Sequence, residues 1–170
     1  GQADLPLNRM GLSQAQAMAA QLSNGPSFEA LYSSDLQRAR QTAQTIAAIL
    51  DLPVCLDKRL REIDQGEWEG RLVSELRQIY QTLWSAREQD PVHSRPPGGE
   101  SVAEVAARVW SAADDIARAH PSGRVLIVSH GLALATLIAR SQDTLLDQVY
   151  QLIPENAQMA VITWPAAHAP

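Results

Sequence analysis

The chain has 170 residues, with Lys plus Arg at 14 against Asp plus Glu at 19 for a net charge of −5. Hydrophobic residues at 45% and charged residues at 19% exclude a disordered chain, and the length suits one domain with a single sizeable core. The acidic balance offers no basic face for nucleic acid, and no apolar run approaches the roughly 18 residues of a membrane span.

No signal-peptide pattern is present, and Cys55 is the only cysteine. An internal disulfide is therefore excluded, and a cytoplasmic, reducing location is expected. The sequence opens with Gly1-Gln2-Ala3-Asp4 rather than Met, which predicts a trimmed or N-terminally incomplete product.

In chain order, Ser13-Gln14-Ala15-Gln16 has the form of a capping box and predicts a helix to about Leu22. Phe28 to Tyr32 reads as a strand. Ser34-Asp35-Leu36-Gln37 repeats the capping pattern. Leu36, Ala39, Ala43, Ile46, Ala47 and Leu50 then form one apolar helical face. Val54-Cys55-Leu56 is a second, weaker strand. Leu72, Leu76, Ile79 and Leu83 mark a third helix. A loop follows at Arg95 to Glu100, and Ser101 with Glu104 caps a fourth helix with the face Val105, Val109, Ala112 and Ile116. Val125 to Val128 is continuously apolar, as expected of a central parallel strand with a neighbour on each side. Leu132 to Ala139 predicts a fifth helix and Met159 to Trp164 a fourth strand. Trp68 and Trp84 are expected in the core. The alternation predicts an α/β fold, a three-layer sandwich with a mostly parallel sheet flanked by helices. Four strands are few for this length, so a further N-terminal strand is expected to be missing.

Ligands of open α/β sheets bind beyond the carboxyl ends of the strands. At Val128-Ser129-His130-Gly131 a strand runs into a helix start, whose free N–H groups favour an anion. Gly131 permits close approach, and an imidazole with a pKa near neutrality could bind phosphate or carry a proton. A buried, satisfied histidine is the plain alternative. At Tyr32 to Arg40, Arg38 lies in the first helical turn, where a cation opposes the helix dipole. That placement suggests an anionic partner for its planar fork, against the alternative of a surface salt bridge. Arg40 is expected at the surface. The acidic stretch Leu60 to Gly70 holds Glu62, Asp64, Glu67 and Glu69. A carboxyl beside bound phosphate would hold its proton and could protonate a leaving alcohol, but the residues alone do not choose among these four.

Other chemistries lack their patterns. Ile127 stands where a nucleophile elbow before Ser129 needs glycine. No glycine-rich Lys-Ser/Thr loop occurs. His93, His120, His130 and His168 have no metal-ligand spacing, and Cys55 reads as a core residue. No cofactor or metal is expected.

Taken together, these stretches resemble the histidine phosphatase superfamily, in its phosphoglycerate-mutase-like branch. The resemblance runs through Asp4-Leu5-Pro6-Leu7-Asn8 with Gly11-Leu12, then Tyr32 to Ala43, then Leu60 to Asp64 with Gly66, Trp68, Glu69 and Gly70. Pro97 to Ser101 and Val128 to Gly131 complete it. It implies that Arg38 binds the transferred phosphoryl group, that Glu62 donates a proton to the leaving alkoxide, and that His130 binds and stabilises the phosphoryl group with Gly131 beside it. The family's nucleophile is a histidine in an Arg-His-Gly motif, and that tripeptide is absent here. Against the family pattern the chain starts roughly twenty residues late, so the chain alone is expected to be inactive. The expected function of the parent is a phosphomonoesterase working through a phosphohistidine on a small phosphorylated metabolite. Phosphoglycerate mutase activity is the alternative, or a pseudophosphatase binding module if the short chain is the true product. The phosphatase reading rests on the short stretch from Gly70 to Gly98, its lack of Lys, its scattered Arg71, Arg77, Arg87 and Arg95, and Gln65 where such mutases carry Tyr. The expected partner is a small phosphorylated substrate, with no nucleic acid and no membrane, and a homodimer left open.

Overall fold

Three strands form one parallel sheet in the order β2-β1-β3: β1 is Ala30–Ser33, β2 is Val54–Leu56 and β3 is Val125–Val128. Leu31 pairs with Val54 on one side and Leu126 on the other, and Ser33 pairs with Leu56 and Val128. This computed structural model describes residues 1–164. The helices are α1 (Arg9–Ser23), α2 (Gln37–Leu50), α3 (Val73–Ile79), α4 (Gln81–Gln89), α5 (Val102–Ala119) and α6 (Gly131–Ser141), with short 3-10 turns at Lys58–Leu60, Gly66–Trp68 and Leu146–Leu152. No helix among the described residues is long and apolar enough to cross a membrane.

The pleat divides the core in two, because successive strand residues face opposite ways. Leu31, Leu126 and Val128 point to α1 and α2, where Ala19, Leu22, Ala43 and Ile46 are buried. Ile127 points to α5 and α6, packing with Val105, Val109, Leu132, Ala135 and Leu137. The three-layer α/β arrangement expected from the sequence is thus present, with α1 and α2 on one face and α5 and α6 on the other.

Several local expectations need correction. The first helix begins at Arg9 rather than at Ser13, because Asn8 supplies the cap by accepting from the Gly11 N–H at 2.9 Å. Ser34 does not cap α2; Leu36 holds the N-cap position without a side-chain bond. Asp4 supplies the acceptor from afar, taking the Gln37 N–H on Oδ1 at 2.6 Å. That bond holds the Asp4 carboxyl below its ordinary pKa. The third helix breaks at Tyr80 into α3 and α4. By contrast, Ser101 and Glu104 close a reciprocal capping box at the start of α5, as their spacing predicts.

The largest departures concern the sheet. Among the described strands β3 pairs with β1 alone and its residues are only half-buried; the neighbour expected on its other side is not among them. Met159 to Trp164 does not form a strand, since no described strand runs beside it to share a ladder. Cys55 is exposed rather than in the core, because β2 is the opposite edge of the sheet. Trp68 is buried, whereas Trp84 is only partly so and spends its indole N–H on Glu88 at 2.7 Å.

Candidate functional site

The strands are parallel, so β1 and β3 end on the same side of the molecule. Ser34 continues the pairing by donating its N–H to the Val128 carbonyl at 3.0 Å. The Ser129 hydroxyl donates to the Leu60 carbonyl at 2.6 Å, drawing the acidic stretch to the same end. Three chain segments therefore meet there: residues 33–38, 58–62 and 128–132.

His130 is the N-cap residue of α6 and is 7% exposed. Its Nε2 lies 2.8 Å from the Ser34 hydroxyl oxygen. Burial, helped by the positive charge of Arg38, pushes its pKa down to about 3. The expectation of a pKa near neutrality is thus corrected: at pH 7 the ring is neutral, with one nitrogen able to donate a hydrogen bond and the other to accept one.

Glu62 sits at the mouth of α6. One carboxylate oxygen accepts from the Ile63 N–H at 2.8 Å and the other from the Leu132 N–H at 3.1 Å. Leu132 is the second residue of α6, so the carboxylate occupies a place that a helix start makes favourable for negative charge. Gly131 is tightly placed, because a Cβ there would stand 3.0 Å from the Ile153 methyl and 3.8 Å from Glu62 Oε2. The other acids are engaged elsewhere. Asp64 accepts from Gly66 N–H, Glu67 from the Tyr80 hydroxyl, and Glu69 from Gln2 N–H. Gly66 must be glycine, since it has φ of +50° and a Cβ would collide with the Pro97 carbonyl.

Arg38 lies in the first turn of α2, as expected. It donates Nη1–H to the Ala3 carbonyl and Nη2–H to the Gly1 carbonyl, each at 2.7 Å. Among the described residues no carboxylate pairs with it. Gln2, in the same segment, donates to the Glu62 carbonyl at 3.0 Å. Residues 1–3 thus run from the guanidinium of Arg38 to the loop that carries Glu62. Arg40 points to solvent.

Three further groups shape the site and were not singled out from the sequence. Arg61 forms a two-point pair with Asp35, both contacts at 2.6 Å, which ties the Glu62 loop to the Arg38 turn. The same bonding holds the Asp35 carboxyl below its usual pKa range. Arg108 on α5 grips Glu100 by two contacts and the carbonyls of Arg59, Arg61 and Glu62 by three more. Ser34 is fully buried against His130. Only an arginine among the apolar positions of α5 hints at Arg108 in the sequence; the contacts themselves span 46 to 49 residues to the acid loop.

The arrangement gathers a guanidinium whose two Nη arms meet the carbonyls of residues 1 and 3, a neutral imidazole and a carboxylate at a helix start. Such groups can hold an oxyanion and move one proton. Among the described residues no three His, Cys, Asp or Glu side chains are grouped to hold a metal ion.

Comparison with known proteins agrees in kind. The pattern of the histidine phosphatase superfamily (branch 1) matches residues 1–169. A protein of Proteus mirabilis named "Probable phosphoglycerate mutase GpmB" is 36% identical over 139 residues, covering 82% of this chain and 64% of that protein. The chain therefore spans about two thirds of that relative's length, or a little less. Among solved structures, the α-ribazole phosphatase from Shigella flexneri superposes with a TM-score of 0.82 at 30% identity, covering 92% of this chain and 77% of that one. A mycobacterial glucosyl-3-phosphoglycerate phosphatase gives 0.78 at 30% identity, covering 89% and 74%.

Proposed function

Because the chain belongs to the histidine phosphatase superfamily, we propose that it forms the phosphate pocket of a phosphomonoesterase acting on a small phosphorylated metabolite. In this reading Arg38 grips the phosphoryl oxygens, His130 and the start of α6 at Gly131 stabilise them, and Glu62 protonates the departing alkoxide. The observation that carries it is the seat of Glu62, whose carboxylate lies 3.1 Å from the Leu132 N–H, two residues beyond His130. A phosphoryl group bound there would raise the proton affinity of that carboxyl by like charge. The leaving alcohol would then depart protonated as the P–O bond breaks.

In this reading the reaction runs through a phosphohistidine. A histidine nucleophile would attack phosphorus, the alkoxide would leave with the proton from Glu62, and water would then cleave the phosphohistidine. The family's nucleophile lies in an Arg-His-Gly tripeptide, and these 170 residues contain none. A pseudophosphatase module that binds without turnover is the alternative, and the absence of that tripeptide from these residues is what favours it.

A phosphatase is preferred to a mutase because the segment between Gly70 and Gly98 is short and holds no Lys. Its arginines are less scattered than their spacing suggests: Arg77 lies over the Trp84 ring and Arg87 over Trp68, at 5.3 and 5.6 Å. Those contacts engage them with aromatic rings rather than leaving a ready clamp for a substrate carboxylate.

Calorimetric titration with inorganic phosphate and vanadate tests the pocket, and a panel of phosphomonoesters with added chelator tests turnover. Phosphate should bind, and Arg38→Ala should weaken it by about tenfold or more, since a charge-assisted fork is lost. An unaltered affinity in Arg38→Ala, or no oxyanion binding in the parent chain, would refute the reading.

A further inference from the structure

His130 has two ring nitrogens, and a neutral imidazole protonates only one of them. Its Nε2 faces the Ser34 hydroxyl at 2.8 Å, inside a fully buried contact. That hydroxyl oxygen already accepts from the Leu36 N–H at 3.3 Å. A serine hydroxyl has one proton to give and two lone pairs to fill. If Nε2 carried the ring proton, two N–H groups would point at the serine oxygen. The serine's own proton would then have no acceptor among the described residues. A sealed, unpaired O–H is disfavoured strongly enough that buried hydroxyls are found paired. If the serine donates to Nε2 instead, every group in the contact is satisfied.

The ring proton then resides on Nδ1. That nitrogen has no partner among the described residues, yet it is not sealed: the one sealed, unpartnered side-chain nitrogen or oxygen among them is Trp68 Nε1. Nδ1–H is then the ring's one uncommitted donor, on a residue at the same end of the sheet as Arg38.

We propose that Ser34 is a positioning residue that holds His130 in its Nδ1–H tautomer, so that Nδ1–H is the donor offered to a bound oxyanion. The assignment of an oxyanion rests on the phosphate-pocket reading above. The serine keeps the ring neutral and correctly protonated, and a neutral donor adds a hydrogen bond without repelling the guanidinium of Arg38. Position 34 thereby acts on phosphate without touching it.

The test is nitrogen-15 NMR of the histidine-labelled chain at pH 7, alone and with saturating inorganic phosphate. The expected result is an unprotonated Nε2 and a protonated Nδ1 whose resonance moves when phosphate binds. Ser34→Ala should shift the ring toward the Nε2–H tautomer and weaken phosphate about tenfold. Ser34→Thr, which keeps the hydroxyl, should restore both. The wild-type spectrum decides the tautomer even if a variant fails to fold. A proton on Nε2 with phosphate binding intact overturns this inference alone. An Nδ1 resonance indifferent to bound phosphate overturns it too. If calorimetry finds no phosphate binding to the wild-type chain, the oxyanion role of Nδ1 falls together with the functional reading.

Discussion

Arg108→Ala removes the group that holds the acid loop in place. An arginine has five N–H donors, and this one uses all of them. Nε and Nη2 meet the two oxygens of Glu100 at 2.7 and 2.8 Å, Nη1 meets the carbonyls of Arg59 and Arg61 at 2.8 and 2.6 Å, and Nη2 meets the Glu62 carbonyl at 2.9 Å. Both partners of the ion pair are mostly sheltered, with side chains 19% and 23% exposed. Alanine would leave the Glu100 carboxylate unpaired, keeping only the Asp64 N–H at 2.9 Å. Breaking such a pair from one side costs about 3–5 kcal/mol when fully buried, and water entering the gap places the expected loss near the lower end, about 3 kcal/mol. Urea unfolding measures it. Amide exchange adds a local readout, because the Leu132 N–H is protected by Glu62 and should exchange faster once the loop loosens. Arg108→Lys keeps the charge but not the planar fork, and should recover less than half of the loss. A loss below about 1 kcal/mol for Arg108→Ala, with Leu132 exchange unchanged, would refute the reasoning.

Two further outcomes follow from the burial of His130 and the exposure of Cys55. His130 holds a folded pKa of about 3 against an ordinary 6.5, so between those values the unfolded chain binds a proton that the folded chain does not. Stability should therefore fall as pH drops from about 6.5 toward 3, by roughly 1 kcal/mol per unit. His130→Gln should flatten that slope in urea titrations at successive pH values; an equal slope in both chains would exclude His130 as its source. The lowered pKa values of Asp35 and Glu100 have the same sign, but their loss belongs to the more acidic range where carboxylates titrate. Cys55, exposed on β2, should react with a thiol reagent in the native chain. Protection until urea is added would contradict its placement.

Local pattern was enough where an element is defined by its own residues. The ranges of β2 and β3 and the box at Ser101 and Glu104 are of that kind. Ser34 shows the limit: a serine before a helix looks like a cap, but here its oxygen is turned to a histidine 96 residues away. Glu62 shows it again. Four acids crowd one stretch, and what distinguishes Glu62 is a bond to an amide 70 positions on. The family resemblance pointed to the same acid for a different reason. For β3, an apolar strand signals covered faces, and hydrophobicity says nothing of which strands share its edges.

That edge has a consequence for handling the molecule. Along the outer side of β3 a row of amide and carbonyl groups has no ladder partner among the described residues, and Val125-Leu126-Ile127-Val128 carries neither charge nor proline to deter a newcomer. Such a strand is a template for intermolecular pairing. That edge is therefore where two copies of this chain would pair, and a charged residue placed along it would discourage the pairing.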